Sequence, residues 1–121
     1  MTSREYLTQL KRLHDLMKEE EADLEDEREE IASDLPANGK EGYLKRVEIL
    51  ERVHEKHKAF YPVLRNRIGR TILTLTNKRE QQVLILRYLD LLEWDEIAYR
   101  MDGTTDAVWG VHKRALKHLV I

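Results

Sequence analysis

The 121-residue chain contains no cysteine, which excludes a disulfide framework and thiolate metal sites and fits a reducing cytoplasm. No stretch approaches the roughly 20 consecutive apolar residues of a membrane-spanning helix, so we expect no membrane partner. The first residues lack the apolar core of a secretory signal. No segment of useful length shows the alternating pattern of a strand. These absences predict a cytoplasmic protein built from helices.

Residues suited to catalysis are also scarce. Ser3 and Ser33 are the only serines, and neither lies in a recognisable nucleophile motif. A glycine-rich phosphate loop and a zinc-protease histidine pair are both missing. His54 and His57 are three residues apart and could share a metal, but no third ligand follows on that face, which favours helix packing. The sequence therefore predicts no enzyme, no metal and no cofactor.

Acidic and basic residues are separated along the chain. Residues 1–42 contain 6 Lys/Arg and 13 Asp/Glu, a net charge of −7, whereas residues 43–121 contain 15 and 10, a net charge of +5. The acidic run at residues 19–30 is interpreted as a solvated helix face, with a specific acidic binding surface as the alternative. Residues 56–79 are basic without any acid. Two interpretations of this window stay equally open: contacts to a polyanion such as DNA, and a solvated face that balances the acidic helix within a dimer.

The first half of the chain has the 3-4 apolar spacing of helices. One helix is predicted over residues 3–33, with a weak coiled-coil seam. A break at Pro36, with a turn at Asn38 and Gly39, precedes a second helix from about Tyr43, and the short loop favours an antiparallel hairpin. Pro62 kinks or restarts the second helix. The predicted stripes are Leu7, Leu10, His14, Met17, Leu24, Ile31 and Leu35, then Tyr43, Val47, Leu50, His54, His57 and Tyr61, then Leu64, Ile68, Ile72 and Leu75.

Residues 76–121 are predicted to form three further helices. Thr76 or Asn77 caps the first, over residues 78–89. The second runs over about residues 93–101, and the third follows a tight turn and reaches the end of the chain. A short apolar-faced helix, a turn and a helix ending in basic residues form the pattern of a helix-turn-helix, whose second helix enters the DNA major groove.

The residues of this motif suggest which of them form its turn and which pack in its core. Gly103 is expected to supply the positive φ that ends the second helix. Thr104 or Thr105 is expected to cap the last helix. The residues expected to pack together are Ile97, Ala98 and Met101 with Val108, Val111 and Ala115.

The opposite face of the last helix is predicted to meet DNA. Its N-terminal turn enters the groove, so Thr105, Asp106 and Trp109 are candidate base readers. Basic residues further along are placed for phosphates, each adding about 0.9 to the salt slope of binding. The predicted DNA-binding residues are Thr104, Thr105, Asp106, Trp109, Gly110, Lys113, Arg114 and Lys117, with flanking phosphate contacts at Arg65, Arg67, Arg70, Lys78 and Arg79.

Three segments carry a resemblance to a known family: Arg-Glu-Gln-Gln-Val-Leu-Ile-Leu-Arg-Tyr at 79–88, Trp-Asp-Glu-Ile-Ala at 94–98, and the spaced Val108, Arg114, Ala115, Leu116 and Leu119. Together they resemble region 4 of bacterial sigma factors. More narrowly, they resemble small phage and prophage regulators of Gram-positive bacteria with this module, including ArpU-like and RinA-like late-gene activators and sigma-like positive control factors. The resemblance covers residues 64–121. It implies a helix that reads a promoter or operator element, and contact with host RNA polymerase.

The chain departs from that family in two places. Leu91, Leu92 and Glu93 stand where a glycine, an apolar residue and a capping serine are usual. Trp109 stands where a polar groove-facing residue is usual. Three roles stay open for it: half-buried packing, a contact to a thymine methyl or sugar, and a contact to a protein partner. Trp94 is predicted to belong to the core.

We therefore expect an all-α fold, with a long N-terminal helical hairpin (residues 1–62) followed by a sigma-region-4-like helix-turn-helix bundle (residues 63–121). The hairpin would form a homodimer or dock a partner. The expected function is a sequence-specific DNA-binding phage transcription regulator, an activator that works with host RNA polymerase at the bacterial nucleoid. Two alternatives stay open: a phage small terminase-like DNA-packaging subunit, and a polymerase-binding protein-interaction module.

Overall fold

A computed structural model describes residues 1–33 and 36–121. Every regular element in this described part is a helix and none is a strand, which confirms the all-α prediction. No helix in it combines the length and the apolar character needed to cross a membrane. The elements are α1 (Ser3–Leu7), α2 (Gln9–Ala32), α3 (Ala37–Ile72), α4 (Lys78–Leu84) with a π-helical continuation (Ile85–Leu89), α5 (Trp94–Arg100) and α6 (Thr105–His118).

The N-terminal helix is interrupted at Thr8, so the prediction of one helix over residues 3–33 was wrong there. The Thr8 hydroxyl donates to the Glu5 carbonyl at 3.0 Å. A hydroxyl that bonds back to the preceding turn competes with the helical ladder and bends it. Leu7 and Leu10, on either side of the break, are fully buried as the apolar spacing predicted.

The apolar stripes predicted for the long helices are buried or half-buried wherever the structure describes them. Leu35, predicted as the last member of the first stripe, lies outside the described residues. One acidic residue departs from the solvated interpretation of its run, because Glu20 is only 6% exposed. Burial of a carboxylate is rare unless it has a partner, and its partners lie on α3.

The second long helix begins at Ala37, earlier than the predicted start near Tyr43. Asn38 and Gly39, predicted as a turn, therefore lie in the first turn of α3. The Pro36 carbonyl accepts the Gly39 N–H at 2.9 Å. Proline thus precedes the helix and supplies an early acceptor, a position where its missing N–H does no harm.

Pro62 lies inside α3, which runs without interruption to Ile72, so the predicted restart was wrong. A proline in a helix interior removes a backbone donor and costs about 3 kcal/mol relative to alanine. His54 before it and Leu64 after it are both buried. Tertiary packing, which supplies most helical stability in proteins, outweighs that local cost.

The described chain divides into two compact units. The hairpin unit is Arg12–Pro62, and the helix-turn-helix unit consists of Met1–Lys11 and Val63–Ile121. The second unit thus includes residues that the sequence prediction placed in the hairpin. Within it, the hydroxyl oxygens of Tyr6 and Thr71 lie 3.0 Å apart, which ties α1 to the end of α3.

In the hairpin unit α2 and α3 run antiparallel, as predicted. Glu20, early in the paired part of α2, lies 2.9 Å from His54. Glu27, further along α2, lies 3.1 Å from Arg46, which precedes His54 in α3. Two long helices joined by a short connection pair in this order in a helical hairpin.

The connection between α4 and α5 uses an uncommon backbone conformation. Asn77 caps α4 as predicted, its side chain accepting the Glu80 N–H at 3.0 Å. After the π-helical continuation, Leu91 adopts a φ of 58°. This left-handed region costs an L-residue with a Cβ about 1–2 kcal/mol.

We expect Leu91→Gly to be more stable than Leu91→Ala by about 1 kcal/mol. Both changes remove the Leu91 side chain beyond Cβ, but only alanine keeps the Cβ that strains a left-handed backbone, at a cost of about 1–2 kcal/mol. Glycine also gives the unfolded chain more freedom, which offsets about 0.4–1 kcal/mol of this advantage in folding stability. At Gln82, exposed within α4, the order should reverse by about 0.8–1 kcal/mol. Urea unfolding measures both pairs. If alanine were the more stable variant at both positions, the result would contradict backbone strain at Leu91.

Candidate nucleic-acid interface

The turn between α5 and α6 is closed by a Schellman motif. The Gly103 N–H donates to the Ala98 carbonyl at 3.0 Å, and the Asp102 N–H donates to the Tyr99 carbonyl at 3.3 Å. In this motif the residue after the C-cap is left-handed, and here it is Asp102, with a φ of 52°. The prediction that Gly103 supplies the positive φ was therefore wrong by one residue. Aspartate is among the residues that tolerate this conformation best.

Thr104 begins α6. Its hydroxyl accepts the Ala107 N–H at 3.1 Å, which confirms one of the two predicted caps. Glu93, at the start of α5, makes no side-chain cap bond. The start of α6 is therefore fixed by a bond from the Thr104 side chain to the backbone of its first turn.

One face of α6 is buried against α4 and α5. This burial confirms the predicted packing, since residues of α5 and α6 form a single apolar cluster that Leu92 and Trp94 cover in part. Ala115, further along α6, is fully buried. The cluster contains Val83, Leu86, Ile97, Ala98, Met101, Val108 and Val111. Packing on this face fixes which side chains of α6 face outward.

The opposite face of α6 is exposed, and it carries the predicted DNA-binding residues. Gly110 is half-buried, and a Cβ built on it would lie 3.7 Å from Arg114 Nη1. Trp109 is 37% exposed. The remaining predicted residues are fully on the surface, namely Thr104, Thr105, Asp106, Lys113, Arg114 and Lys117. The structure thus brings the polar start of α6 and its basic remainder onto one continuous surface.

Trp109 has both a packed and an exposed part. Its ring centroid lies 5.0 Å from that of Trp94 in an edge arrangement and 4.9 Å from that of His112. Aromatic pairs at such separations favour edge or tilted geometry. Of the roles left open by the sequence, half-buried packing is therefore present. The exposed part of the ring leaves room for a contact to DNA or protein as well.

His112 lies buried within this aromatic cluster, with 1% of its surface exposed. Its burial, reinforced by the positive charges of Arg4 and Arg87, lowers its pKa from 6.5 to about 4. His112 Nε2 lies 2.6 Å from the Tyr88 hydroxyl, and Nδ1 has no hydrogen-bond partner in the described part of the chain. Burial also raises the pKa of Tyr88. Both side chains are therefore uncharged at neutral pH.

The predicted flanking phosphate contacts lie in different surroundings. Arg65 forms an ion pair with Asp90 at 3.1 Å, so a phosphate there would compete with that carboxylate. Arg79 lies beside the turn before α6, since a Cβ built on Gly103 would be 3.7 Å from Arg79 Nη2. The others, Arg67, Arg70 and Lys78, are exposed. Among these residues, Arg79 is the one for which a contact with the turn before α6 is seen.

Sequence reasoning missed two cations that border the aromatic cluster of Trp94, Trp109 and His112. The Arg4 guanidinium carbon lies 5.8 Å from the ring centroid of Trp109, and that of Arg87 lies 4.6 Å from the ring centroid of Trp94. Both are within the range of a cation–π interaction. Arg87 precedes Tyr88 in a segment that the resemblance had already marked. No sequence signal pointed to Arg4, because its approach joins the two ends of the chain.

The predicted packing role of His54 and His57 is confirmed. Their Nδ1 atoms lie 2.9 and 2.6 Å from the two carboxylate oxygens of Glu20. Across residues 1–33 and 36–121, no group of three histidine, cysteine or acidic side chains is arranged to hold a metal ion. Glu20, His54 and His57 therefore form a packed polar cluster between α2 and α3.

No protein-family model matches this chain, and neither does any curated protein or solved structure.

Proposed function

We propose that the protein is a sequence-specific DNA-binding transcription regulator whose α6 enters the major groove of double-stranded DNA. The exposed face of α6 is the observation that carries this proposal. It begins at a threonine cap, continues with Thr105 and Asp106, and ends in basic residues, while the opposite face is buried in the core. A helix-turn-helix presents its second helix to DNA in this way.

Recognition proceeds by electrostatic capture followed by groove reading. Lys113, Arg114 and Lys117 attract phosphates, and the capture is salt-dependent because each neutralised phosphate releases counterions. Thr105 and Asp106, in the first turn of α6, then meet base edges. A hydroxyl can donate or accept there, and a carboxylate accepts from the cytosine amino group.

We further infer a phage-encoded activator that holds host RNA polymerase at a promoter in the bacterial cytoplasm. The resemblance of residues 64–121 to sigma region 4 and to phage late-gene activators supports this. The hairpin unit would make the protein a homodimer. Trp109 is 37% exposed, and we infer that host RNA polymerase would contact this exposed part.

Selection of the purified protein against random duplex DNA at near-physiological salt tests the proposal. An enriched motif supports a regulator, and its half-site spacing reports the oligomeric state. Salt-sensitive binding without any enriched motif would contradict specific readout and favour the packaging subunit. Absence of binding would contradict DNA recognition and favour the protein-interaction module.

Alanine at Lys113 or Arg114 is expected to weaken binding to every duplex alike and to reduce the salt slope by about 0.9 each, because each change removes one phosphate contact. Fluorescence anisotropy across a salt series measures both quantities. Lys18→Ala is the matched control, since it removes the same charge from an exposed position of the hairpin unit. Weakening confined to one DNA sequence would show that these side chains read bases instead.

A further inference from the structure

The hairpin unit has two long sides, and an ion pair between its helices marks each of them. On one side Glu27 of α2 meets Arg46 of α3 at 3.1 Å, and on the other Arg28 meets Glu51 at 2.8 Å. Residues three, four, seven or eleven positions apart return to nearly the same face of an α-helix. Further residues of α2 and α3 can therefore be assigned to one side or the other.

The side of the Glu27–Arg46 pair exposes apolar side chains on both helices. On α3, Ile49 and Val53 lie three and seven residues after Arg46, and they are 60% and 39% exposed. On α2, Leu16 lies eleven residues before Glu27 and is 41% exposed. Exposed apolar side chains that gather on one surface mark a site for another protein. This surface is called the apolar side below.

The opposite side of the hairpin has a different chemistry. A groove of about 480 Å³ lies between the helices there, and charged residues make up most of its lining. These charges meet within the chain, since Arg28 pairs with Glu51 and Lys58 lies 2.9 Å from Glu55. Taking charged groups out of water is costly, whereas covering apolar groups is favourable. The apolar side is therefore the one that gains from a partner.

Charged residues on the apolar side differ in sign between the two helices. On α2, Asp23 and Glu19 precede the glutamate of the marking pair at intervals of four residues, and both are exposed. On α3, Lys56 lies seven residues after Ile49 and is exposed, and Arg46 lies on the same side. The apolar side therefore has an acidic row on α2 and a basic row on α3.

This distribution of charge makes the apolar side complementary to itself. A two-fold dimer uses the same surface on both copies. Packing α3 on α3 and α2 on α2 would bring two basic rows and two acidic rows together. Packing α2 of each copy on α3 of the other places acids opposite bases, and like charges across an interface are strongly unfavourable. Every helix then has antiparallel neighbours, as in an up-down-up-down four-helix bundle.

We propose that a second copy of this chain covers the apolar side, with α2 of each copy packed on α3 of the other. The inference rests on the homodimer included in the proposed function. Within one copy Glu20 contacts His54 and His57, which places this part of α2 level with residues 54–57 of α3. A two-fold axis parallel to the helices preserves that level. Glu19 of one copy therefore lies level with Lys56 of the other.

Charge reversal at these two positions tests the arrangement in the full chain. Glu19→Lys or Lys56→Glu alone places like charges at both symmetric contacts, and the Kd of the dimer should rise about tenfold. An equal mixture of the two variants can form a mixed dimer with opposite charges at both contacts, so it should dimerise nearly as tightly as the wild type. Sedimentation equilibrium measures the masses against twice the 14.4 kDa of one chain.

A second pair of variants tests the apolar contact. Ile49→Asp places a carboxylate in the proposed interface, and the Kd of the dimer should rise about tenfold or more because a buried charge without a partner is costly. Leu44→Asp is the matched control. Leu44 is 55% exposed and lies five residues before Ile49, about 140° away around α3. It should leave the Kd unchanged, and circular dichroism should show that both variants remain helical.

Several outcomes would overturn the inference. A monomeric wild type would leave the apolar side to a different protein. Dimers that the mixture fails to restore, or that Lys56→Glu tightens, would contradict the pairing of α2 with α3. Equal losses in Ile49→Asp and Leu44→Asp would place the interface elsewhere, and assemblies larger than two would contradict a closed dimer.

DNA binding is scored in a separate experiment, so the two proposals fail differently. A monomer that enriches a DNA motif would refute this interface and the homodimer but not DNA recognition. A dimer that responds to the charge variants as expected but binds no duplex would refute DNA recognition and leave the interface standing.

Discussion

Acid is expected to weaken the helix-turn-helix unit by about 3 kcal/mol between pH 7 and pH 4, because His112 stays uncharged in the folded chain. Its pKa is about 4 when folded, against 6.5 for an ordinary histidine. Well above pH 6.5 neither state binds the proton, so the contribution of His112 to stability is complete. As the pH falls from 6.5 towards 4, the unfolded chain binds a proton that the folded chain does not, and each pKa unit of difference corresponds to about 1.4 kcal/mol.

Urea unfolding at several pH values, followed by tryptophan fluorescence, measures this effect. Both tryptophans of the chain, Trp94 and Trp109, lie in the same unit as His112. His112→Gln is the control, because glutamine can still bond to Tyr88 but does not titrate. The wild type should lose about 3 kcal/mol more than this variant on going to pH 4. Parallel stability curves for the two proteins would rule out His112 as the acid-sensitive group.

Replacing Glu20 by alanine is expected to destabilise the hairpin unit by about 2–4 kcal/mol. Glu20 is 6% exposed, and its two carboxylate oxygens lie 2.9 and 2.6 Å from His54 and His57. His54 is itself buried, so removing the carboxylate leaves its Nδ1 without a partner in a water-poor site. Alanine is the best helix former, so the loss cannot come from helix propensity.

The neighbouring residue provides the control for this prediction. Glu19→Ala removes the same group from an exposed position of α2 and should change stability by less than about 0.5 kcal/mol. Circular dichroism during urea unfolding is the measurement, since the hairpin unit contains no tryptophan. Equal effects of the two substitutions would show that the contacts of Glu20 add nothing to the stability of the hairpin.

Features that depend on near neighbours in the chain were predictable. Asn77 and Thr104 are caps because each accepts an N–H three residues ahead. The stripe from Leu64 to Leu75 is buried because its spacing matches the helical repeat. The exposed face of α6 followed from the same argument, since knowing which side chains pack inward leaves the rest on the surface.

Prediction failed where a distant contact or a competing local bond decided the outcome. Asp102, and not Gly103, is left-handed, because the Schellman motif closes one residue earlier than the glycine suggested. Glu20 was predicted to be solvated like the rest of its acidic run, but it is buried because it contacts His54 and His57 of α3. Pro62 was predicted to kink or restart its helix, but packing on both sides of it keeps α3 continuous.

The sequence by itself determined that this protein is helical, limited the caps of α4 and α6 to two candidates each, and indicated where the apolar faces lie and which face of α6 stays exposed. Those properties follow from bonds and side-chain directions within one or two turns of helix. Only the tertiary structure placed Arg4 over Trp109. Residues at opposite ends of a chain approach each other through the packing of whole helices, and no repeat in the sequence encodes that distance.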